Sequence, residues 1–345
     1  MSEFNLKKIV RSNIQKLQAY SSARDEFKGT AEVYLDANEN PFGDLNRYPD
    51  PQQTKVKEKL SELKKVEQNQ IFVGNGSDEV IDLAFRIFCE PGKDKALTFS
   101  PTYGMYDVSA AINNIELIKQ PLLADFQINL NMLQPYLDME DVKLIFICSP
   151  NNPTGNCINK NDIEYILENF NGIVIIDEAY IDFSETPSFI SEIANYPNLI
   201  ISQTFSKAWG LASVRVGVAY ANSKIIDLYN KVKPPYNVSS LNQTAVLNKL
   251  ENIEQFEIEK KNILNERKKL INELAKLSLV KKIYPTEANF ILIEVANANA
   301  SYKYLVAQKI IIRNRDKVIN NCLRITVGSR AENKQLLRAL QELSV

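Results

Sequence analysis

The sequence predicts an α/β fold: a larger unit built on a doubly wound, mostly parallel sheet, followed by a smaller α+β unit. Three observations carry that expectation. The runs Leu144-Ile145-Phe146-Ile147, Ile173-Val174-Ile175-Ile176 and Leu199-Ile200-Ile201 are continuously apolar, as suits parallel strands buried on both faces. Helical patterns lie between such runs, as at residues 160–169, and this alternation points to crossover connections. The chain has 345 residues, 45% of them hydrophobic, which is too long for one simple core and suits two units.

The elements follow in order. Residues 5–33 read as a helix and a polar connection, and residues 34–50 as an extended, turn-rich stretch with Pro41, Gly43 and Pro49. Thr54 to Leu63 is helical in pattern, and Ile71-Phe72-Val73 is a strand. Ser77 or Asp78 caps a helix that runs to Phe88, because short polar side chains satisfy the first free backbone N–H groups. Ala96 to Phe99 is a strand and Thr102 to Ala111 a helix. After Asn242 a long helical region runs to about Leu277. Short strands are then expected at Ile283-Tyr284, Phe290 to Ile293, Ile310 to Ile312 and Leu323 to Val327, with a last helix near residues 331–343. The expected units are 34–245 and 246–345, preceded by an N-terminal segment, 1–33.

Composition excludes several classes of function. A net charge of −1 gives no electrostatic case for nucleic acid, and the lysines from Lys260 to Lys282 are interleaved with Glu266 and Glu273 as on a solvated helix face. Cys89, Cys148, Cys157 and Cys322 form no C-x-x-C pair and no metal-ligand spacing, so the expectation is reduced cysteines, no metal site and a cytoplasmic protein. Residues 1–11 are charged and lack the apolar core of a signal peptide, and no apolar run approaches the roughly 18 residues of a membrane span. The chain contains no histidine, which removes Ser-His-Asp triads and Cys-His pairs. Any proton transfer falls to Lys, Tyr, Asp, Glu or Cys.

Four residues near strand ends suggest a chemistry. Asn152 follows the run ending at Ile147, Asp177 and Tyr180 follow Ile176, and Lys207 follows the run ending at Ile201. Ligands of open α/β sheets gather at the carboxyl ends of the strands. A lysine amine condenses with an aldehyde to a Schiff base. A carboxylate holds a pyridinium nitrogen protonated, and Tyr and Asn hydrogen-bond a phenolate oxygen. Ser206 and Arg215 suit a phosphate, as do the backbone N–H groups of Gly76-Ser77-Asp78 at a helix start. These are the parts needed for pyridoxal 5′-phosphate. Each has a plainer alternative: a surface lysine, a helix cap, a turn asparagine before Pro153, a core tyrosine.

The order and spacing resemble the fold-type I, class I and II aminotransferases, from about Tyr34 to Gly328. The resemblance rests on Leu35-Asp36-Ala37-Asn38-Glu39-Asn40-Pro41, Arg47-Tyr48-Pro49 and Gly74-Asn75-Gly76-Ser77-Asp78-Glu79. It rests also on Ser100-Pro101-Thr102-Tyr103-Gly104-Met105-Tyr106, on Ser206-Lys207 with Arg215, and on Cys322-Leu323-Arg324-Ile325-Thr326-Val327-Gly328. Within the family these blocks look like those of the branch that acts on histidinol phosphate. The resemblance implies catalytic roles for Lys207, Asp177 and Tyr180. It implies a cofactor shell completed by Tyr103 stacked on the ring, Asn152, Thr204, Ser206 and Arg215. It implies a homodimer in which Tyr48 reaches the partner's cofactor, and an N-terminal segment packed on the smaller unit. Arg324 would bind the substrate carboxylate or its equivalent, Arg313 a substrate phosphate and Tyr20 the substrate lid, with Arg315 and Arg330 as rivals of Arg313. Glutamate and 2-oxoglutarate would be the exchange pair. Aromatic amino acids as donors, and decarboxylation of a phosphate-bearing substrate, are the alternative reactions. Trp209 reads as packing.

Overall fold

The computed structural model describes residues 4–20, 23 and 32–343. The three apolar runs become parallel neighbours: β4 (Val142–Cys148), β5 (Ile173–Asp177) and β6 (Leu199–Thr204). They lie at the centre of a seven-stranded sheet with β1 (Ile71–Gly74), β2 (Lys95–Ser100), β3 (Glu116–Pro121) and β7 (Gly217–Ala221), in the order β1-β7-β6-β5-β4-β2-β3. Only β7 runs against the rest. Side chains alternate between the faces with the period of two that a strand imposes. Ile145, Ile147, Val174, Ile176 and Ile201 enter one core, and Leu144, Phe146, Ile173, Ile175 and Ile200 enter the other.

Helices cover both faces. They include α3 (Thr54–Lys64), α4 (Ser77–Phe88), α5 (Met105–Ile112), α6 (Leu130–Leu137), α7 (Lys160–Asn169), α8 (Ser223–Val232) and α9 (Ser240–Leu250). The long α10 (Ile253–Leu274) joins the two units. Phe256 packs into the larger core, while Leu270 and Leu274 pack into the smaller one. Trp209 is buried and stacks on Phe256 with ring centroids 3.9 Å apart. The smaller unit has an antiparallel sheet in the order β10-β11-β9-β8. Its strands are β8 (Val280–Ile283), β9 (Phe290–Val295), β10 (Arg313–Asn314) and β11 (Cys322–Thr326), with α11 (Ala298–Ala307) and α12 (Arg330–Leu343) against them.

Two expectations are corrected. The described N-terminal residues, 4–20, form two short helices, α1 (Leu6–Ile9) and α2 (Ser12–Lys16), that lie on the larger unit and not on the smaller. Ile9, Val10 and Ile14 share a core with Phe85, Ile87 and Phe88 of α4. The Arg11 N–H donates to Ile87 O at 3.0 Å, and its guanidinium pairs with Glu90. Helices of four and five residues have no stability of their own, so they form where this apolar surface receives them. Secondly, Ile310 to Ile312 is not a strand. Ile311 is 73% exposed, the Ile310 N–H caps α11 through Leu305 O, and strand pairing begins only at Arg313.

Ile14→Ala is therefore expected to lower the stability of the larger unit by about 2 kcal/mol, the low end for truncating a buried isoleucine. A lower urea midpoint for the unit's unfolding checks this, and an unchanged midpoint contradicts the packing.

Candidate active site

The carboxyl ends of β4, β5 and β6 set the site. The register pairs Cys148 with Asp177 and Asp177 with Ser202, so the loops that follow leave the sheet side by side. The loop after β4 supplies Asn152, β5 ends on Asp177 with Tyr180 just beyond, and the turn after β6 supplies Ser206 and Lys207. The N-terminus of α4 faces them from β1, and the smaller sheet faces them with Arg313, Arg315 and Arg324. Together they line a cavity of about 550 Å³, with Tyr103 and Thr204 in its wall.

Asp177 is 3% exposed. Its Oδ2 accepts from the Tyr106 hydroxyl at 2.8 Å and its Oδ1 from the Ala179 N–H at 3.2 Å. Burial pushes its carboxyl up to about 6, against the pull of these two hydrogen bonds. Burial, then the charge of Arg324, pulls the Lys207 amine below the usual lysine range. Lys207 Nζ lies 5.6 Å from the centre of the Tyr180 ring. Asn152 Nδ2 donates to the Tyr180 hydroxyl at 3.3 Å, and Arg324 Nη1 donates to Asn152 Oδ1. One amide thus joins the tyrosine to the arginine.

The other end of the cavity has the chemistry that suits an anion. Gly76 precedes α4 with φ +80°, a left-handed conformation that favours glycine, and a Cβ there would meet Arg215 Nη2 at 2.7 Å. Gly217 on β7 fits against the same turn, since a Cβ would come within 2.2 Å of the Ser77 nitrogen. Among the described residues no side chain caps α4. The Asp78 carboxylate accepts from Arg215 Nη2 at 3.1 Å and from the Tyr103 hydroxyl at 3.2 Å. Arg215 Nη1 reaches Ser206 Oγ at 3.5 Å, and the Ser206 N–H donates to Thr204 Oγ1 at 3.2 Å. Arg215 itself is left-handed, with φ +53°, a strained backbone that sets its side chain against Asp78 and Ser206.

Of the residues singled out from sequence, Ser77, Asp78, Tyr103, Asn152, Asp177, Tyr180, Thr204, Ser206, Lys207, Arg215, Arg313 and Arg324 line this one cavity. Gly76, Tyr48 and Tyr20 are not in the lining, although Gly76 abuts Arg215, which is. Tyr48 is 50% exposed, stacks on Tyr236 at 4.3 Å, and borders a separate hollow with Arg47 and Ser240. Tyr20 is 71% exposed. Arg330 opens α12 outside the cavity, whereas Arg315 lines it. Tyr106 and Gly217 were not singled out. Tyr106 had a signal, standing three residues after Tyr103 and so on the same side of a helical turn. Gly217 had none beyond being a glycine.

The fold and this cavity define a transferase of the α/β aminotransferase class. The family model for aminotransferase class I and II matches residues 15–340, and the chain belongs to that family. It is similar to the histidinol-phosphate aminotransferase of Christiangramia forsetii, with 53% identity over 99% of each chain. It is also similar to that of Flavobacterium psychrophilum, with 51% identity over 99% of this chain and 100% of the relative. Among solved structures, the histidinol-phosphate aminotransferase from Clostridium acetobutylicum superposes with a TM-score of 0.80 at 28% identity, over 87% of this chain and 91% of that one. No helix among the described residues is long and apolar enough to cross a membrane.

Gly217→Ala should force β7 and the α4 turn apart, at a cost of about 1–3 kcal/mol for overpacking. The check is a lower melting temperature together with a loss of the stabilisation that added inorganic phosphate gives the cofactor-free protein. Retention of both would mean that the turn tolerates a Cβ.

Proposed function

We propose that this chain is a cytoplasmic, homodimeric, pyridoxal 5′-phosphate-dependent transaminase that moves an amino group between L-histidinol phosphate and 2-oxoglutarate. The observation that carries the substrate is a like-charge cluster. Arg313 sits directly opposite Arg324 in the antiparallel register, and the Arg315 N–H donates to Cys322 O, so Arg315 continues the same ladder. Residues opposite each other share a face, as do residues two apart. Three guanidiniums therefore crowd one face, and like charges so placed repel. Among the described residues no carboxylate forms a salt bridge with any of them, and Nε of both Arg315 and Arg324 is buried without a partner. A doubly charged phosphate monoester supplies what the cluster lacks, and so do the two carboxylates of glutamate. The whole-length similarity to histidinol-phosphate aminotransferases supports the same choice.

The residues fit the cofactor. The Gly76 cradle that a Cβ would fill, the uncapped N-terminus of α4, Ser206 and Arg215 suit its phosphate. Asp177 suits a ring nitrogen, Tyr103 the ring face, Asn152 and Tyr180 a phenolic oxygen, and Lys207 the aldehyde carbon. Bound there, pyridoxal phosphate supplies an electron sink for the carbanion left when a proton leaves the substrate carbon. Lys207 does the rest of the proton work. Its amine, held toward neutrality by burial and by Arg324, would take the proton from the substrate carbon and hold it for return. Arg324, Arg313 and Arg315 hold the anionic end so that the reacting carbon stays near Lys207 Nζ. Tyr48 is assigned to the partner's cofactor, because it lies away from its own cavity in a hollow shared with the exposed side chains of Leu45 and Leu241, a surface that a second subunit would cover.

Lys207→Ala should abolish transamination. Borohydride reduction of the loaded wild type followed by peptide mapping should place the label on Lys207, and a label on another lysine would reassign the site. Histidinol should be a far poorer substrate than its phosphate, and Arg313→Ala should raise KM for the phosphate by roughly tenfold while changing little for histidinol. Equal turnover of the two by the wild type would favour aromatic amino acid donors instead, and release of carbon dioxide would favour a decarboxylase. Mixing Tyr48→Phe with Lys207→Ala subunits should recover activity above either parent, since one site of each hybrid escapes both changes. No recovery under conditions where subunits exchange counts against shared sites.

A further inference from the structure

The proton work above gives Tyr106 no role, yet its placement is specific. The ring is fully buried, stacked on Phe146 at 4.9 Å and edge-on to Tyr103 at 5.7 Å. The hydroxyl donates to Asp177 Oδ2 at 2.8 Å. Asp177 is faced by Tyr106 from α5, Cys148 at the end of β4, Tyr180 after β5, Lys207 after β6, and Tyr103 and Asp78 near the start of α4. Of these, Tyr106 alone gives it a side-chain hydrogen bond, and no cation forms a salt bridge with it among the described residues. A buried carboxylate without such support takes up a proton and can then no longer accept one from a ring nitrogen. A lysine or arginine in the place of Tyr106 would keep the carboxylate ionised but would cancel the charge that the ring cation needs. A neutral donor avoids both outcomes. Burial and the nearby Asp177 both push the phenol well above its ordinary range, so it stays a donor.

We propose that Tyr106 is a positioning residue for transamination: its neutral hydroxyl holds the Asp177 carboxylate ionised and aimed at the cofactor ring without neutralising it. The inference rests on the reading of Asp177 as the partner of a ring nitrogen. Tyr106→Phe keeps the ring and its stacking and removes only the donor. A carboxyl whose pKa is raised on folding contributes stability below its unfolded value near 4, and that stability is lost as pH rises through its folded value, about 6 here. Without the donor the folded value rises further, and more stability is lost.

The test compares melting temperatures of the full-length, cofactor-free wild type and Tyr106→Phe between about pH 4.5 and about pH 8. The gap between the two is expected to widen as pH rises. In an Asp177→Asn background the same substitution should give a gap that does not change with pH. In the loaded enzyme the acid limb of kcat should move up by on the order of one pH unit, with KM changed by less than about twofold. A gap independent of pH in the wild-type background, with the acid limb unmoved, overturns the proposal and leaves Tyr106 as packing. A wild type that gains no visible absorbance band with pyridoxal phosphate overturns the parent reading, while the melting comparison still decides whether Tyr106 governs the ionisation of Asp177.

Discussion

The site depends on the parallel register of β4, β5 and β6. Neighbouring strands lie about 4.8 Å apart, so three loops leaving adjacent strands start within about 10 Å of one another. That brings Asn152, Asp177 and Lys207 together although 55 residues separate the first from the last. The register is enforced from both sides, because alternate residues of each strand enter different cores. A slip of one residue would move Asp177 from the cavity and exchange the faces of Ile173, Ile175 and their neighbours. The apolar runs thus fix where the polar chemistry sits.

The cavity draws its electrostatic character from what the two units contribute separately. The larger unit brings the carboxylates Asp177 and Asp78 together with Lys207 and Arg215, and the smaller brings Arg313, Arg315 and Arg324. Asp78 and Arg215 offset one another, so that end keeps its backbone N–H groups for an anion. Among the described residues, no carboxylate forms a salt bridge with the three arginines of the smaller sheet. The charge of Arg324 adds to burial in lowering the proton affinity of the Lys207 amine.

Much of this was legible in the sequence because it follows from local pattern. The buried strands are unbroken runs of Leu, Ile, Val and Phe, the start of α4 is marked by Gly76-Ser77-Asp78, and the site residues follow strand ends. What was not legible depends on tertiary context. β7 reads Gly-Val-Ala-Tyr-Ala, too small in its side chains to look like a core strand, yet every residue is buried because α4 and its neighbours close over it. β3 is a polar edge strand, with Glu116 and Lys119 among its residues. Ile310 to Ile312 looks like a strand by composition, but the chain must first leave α11. The N-terminal helices lie on the larger unit because α4 leaves Phe85, Ile87 and Phe88 to be covered, which nothing in residues 4–20 announces. Tyr106 was visible as a residue of a recognised block, but its link to Asp177 spans 71 residues and exists only once α5 packs beside β5.

The smaller unit is tied to the larger at the site itself. Asn152 donates to Tyr180 on one side and accepts from Arg324 on the other, so a residue of the larger unit is shared between the two walls of the cavity. A second tie lies a few residues on. The Glu287 N–H donates to Gly155 O at 2.7 Å, and Glu287 accepts from Thr186 at 3.0 Å and from Ser184. Gly155, with φ +86°, admits Thr286 so closely that a Cβ there would meet its hydroxyl at 2.5 Å. The loop from Asn152 to Gly155 is thus held at both ends by the smaller unit. The Asn152 amide joins the Tyr180 wall to the Arg324 wall of the cavity, although 172 residues separate the asparagine from the arginine.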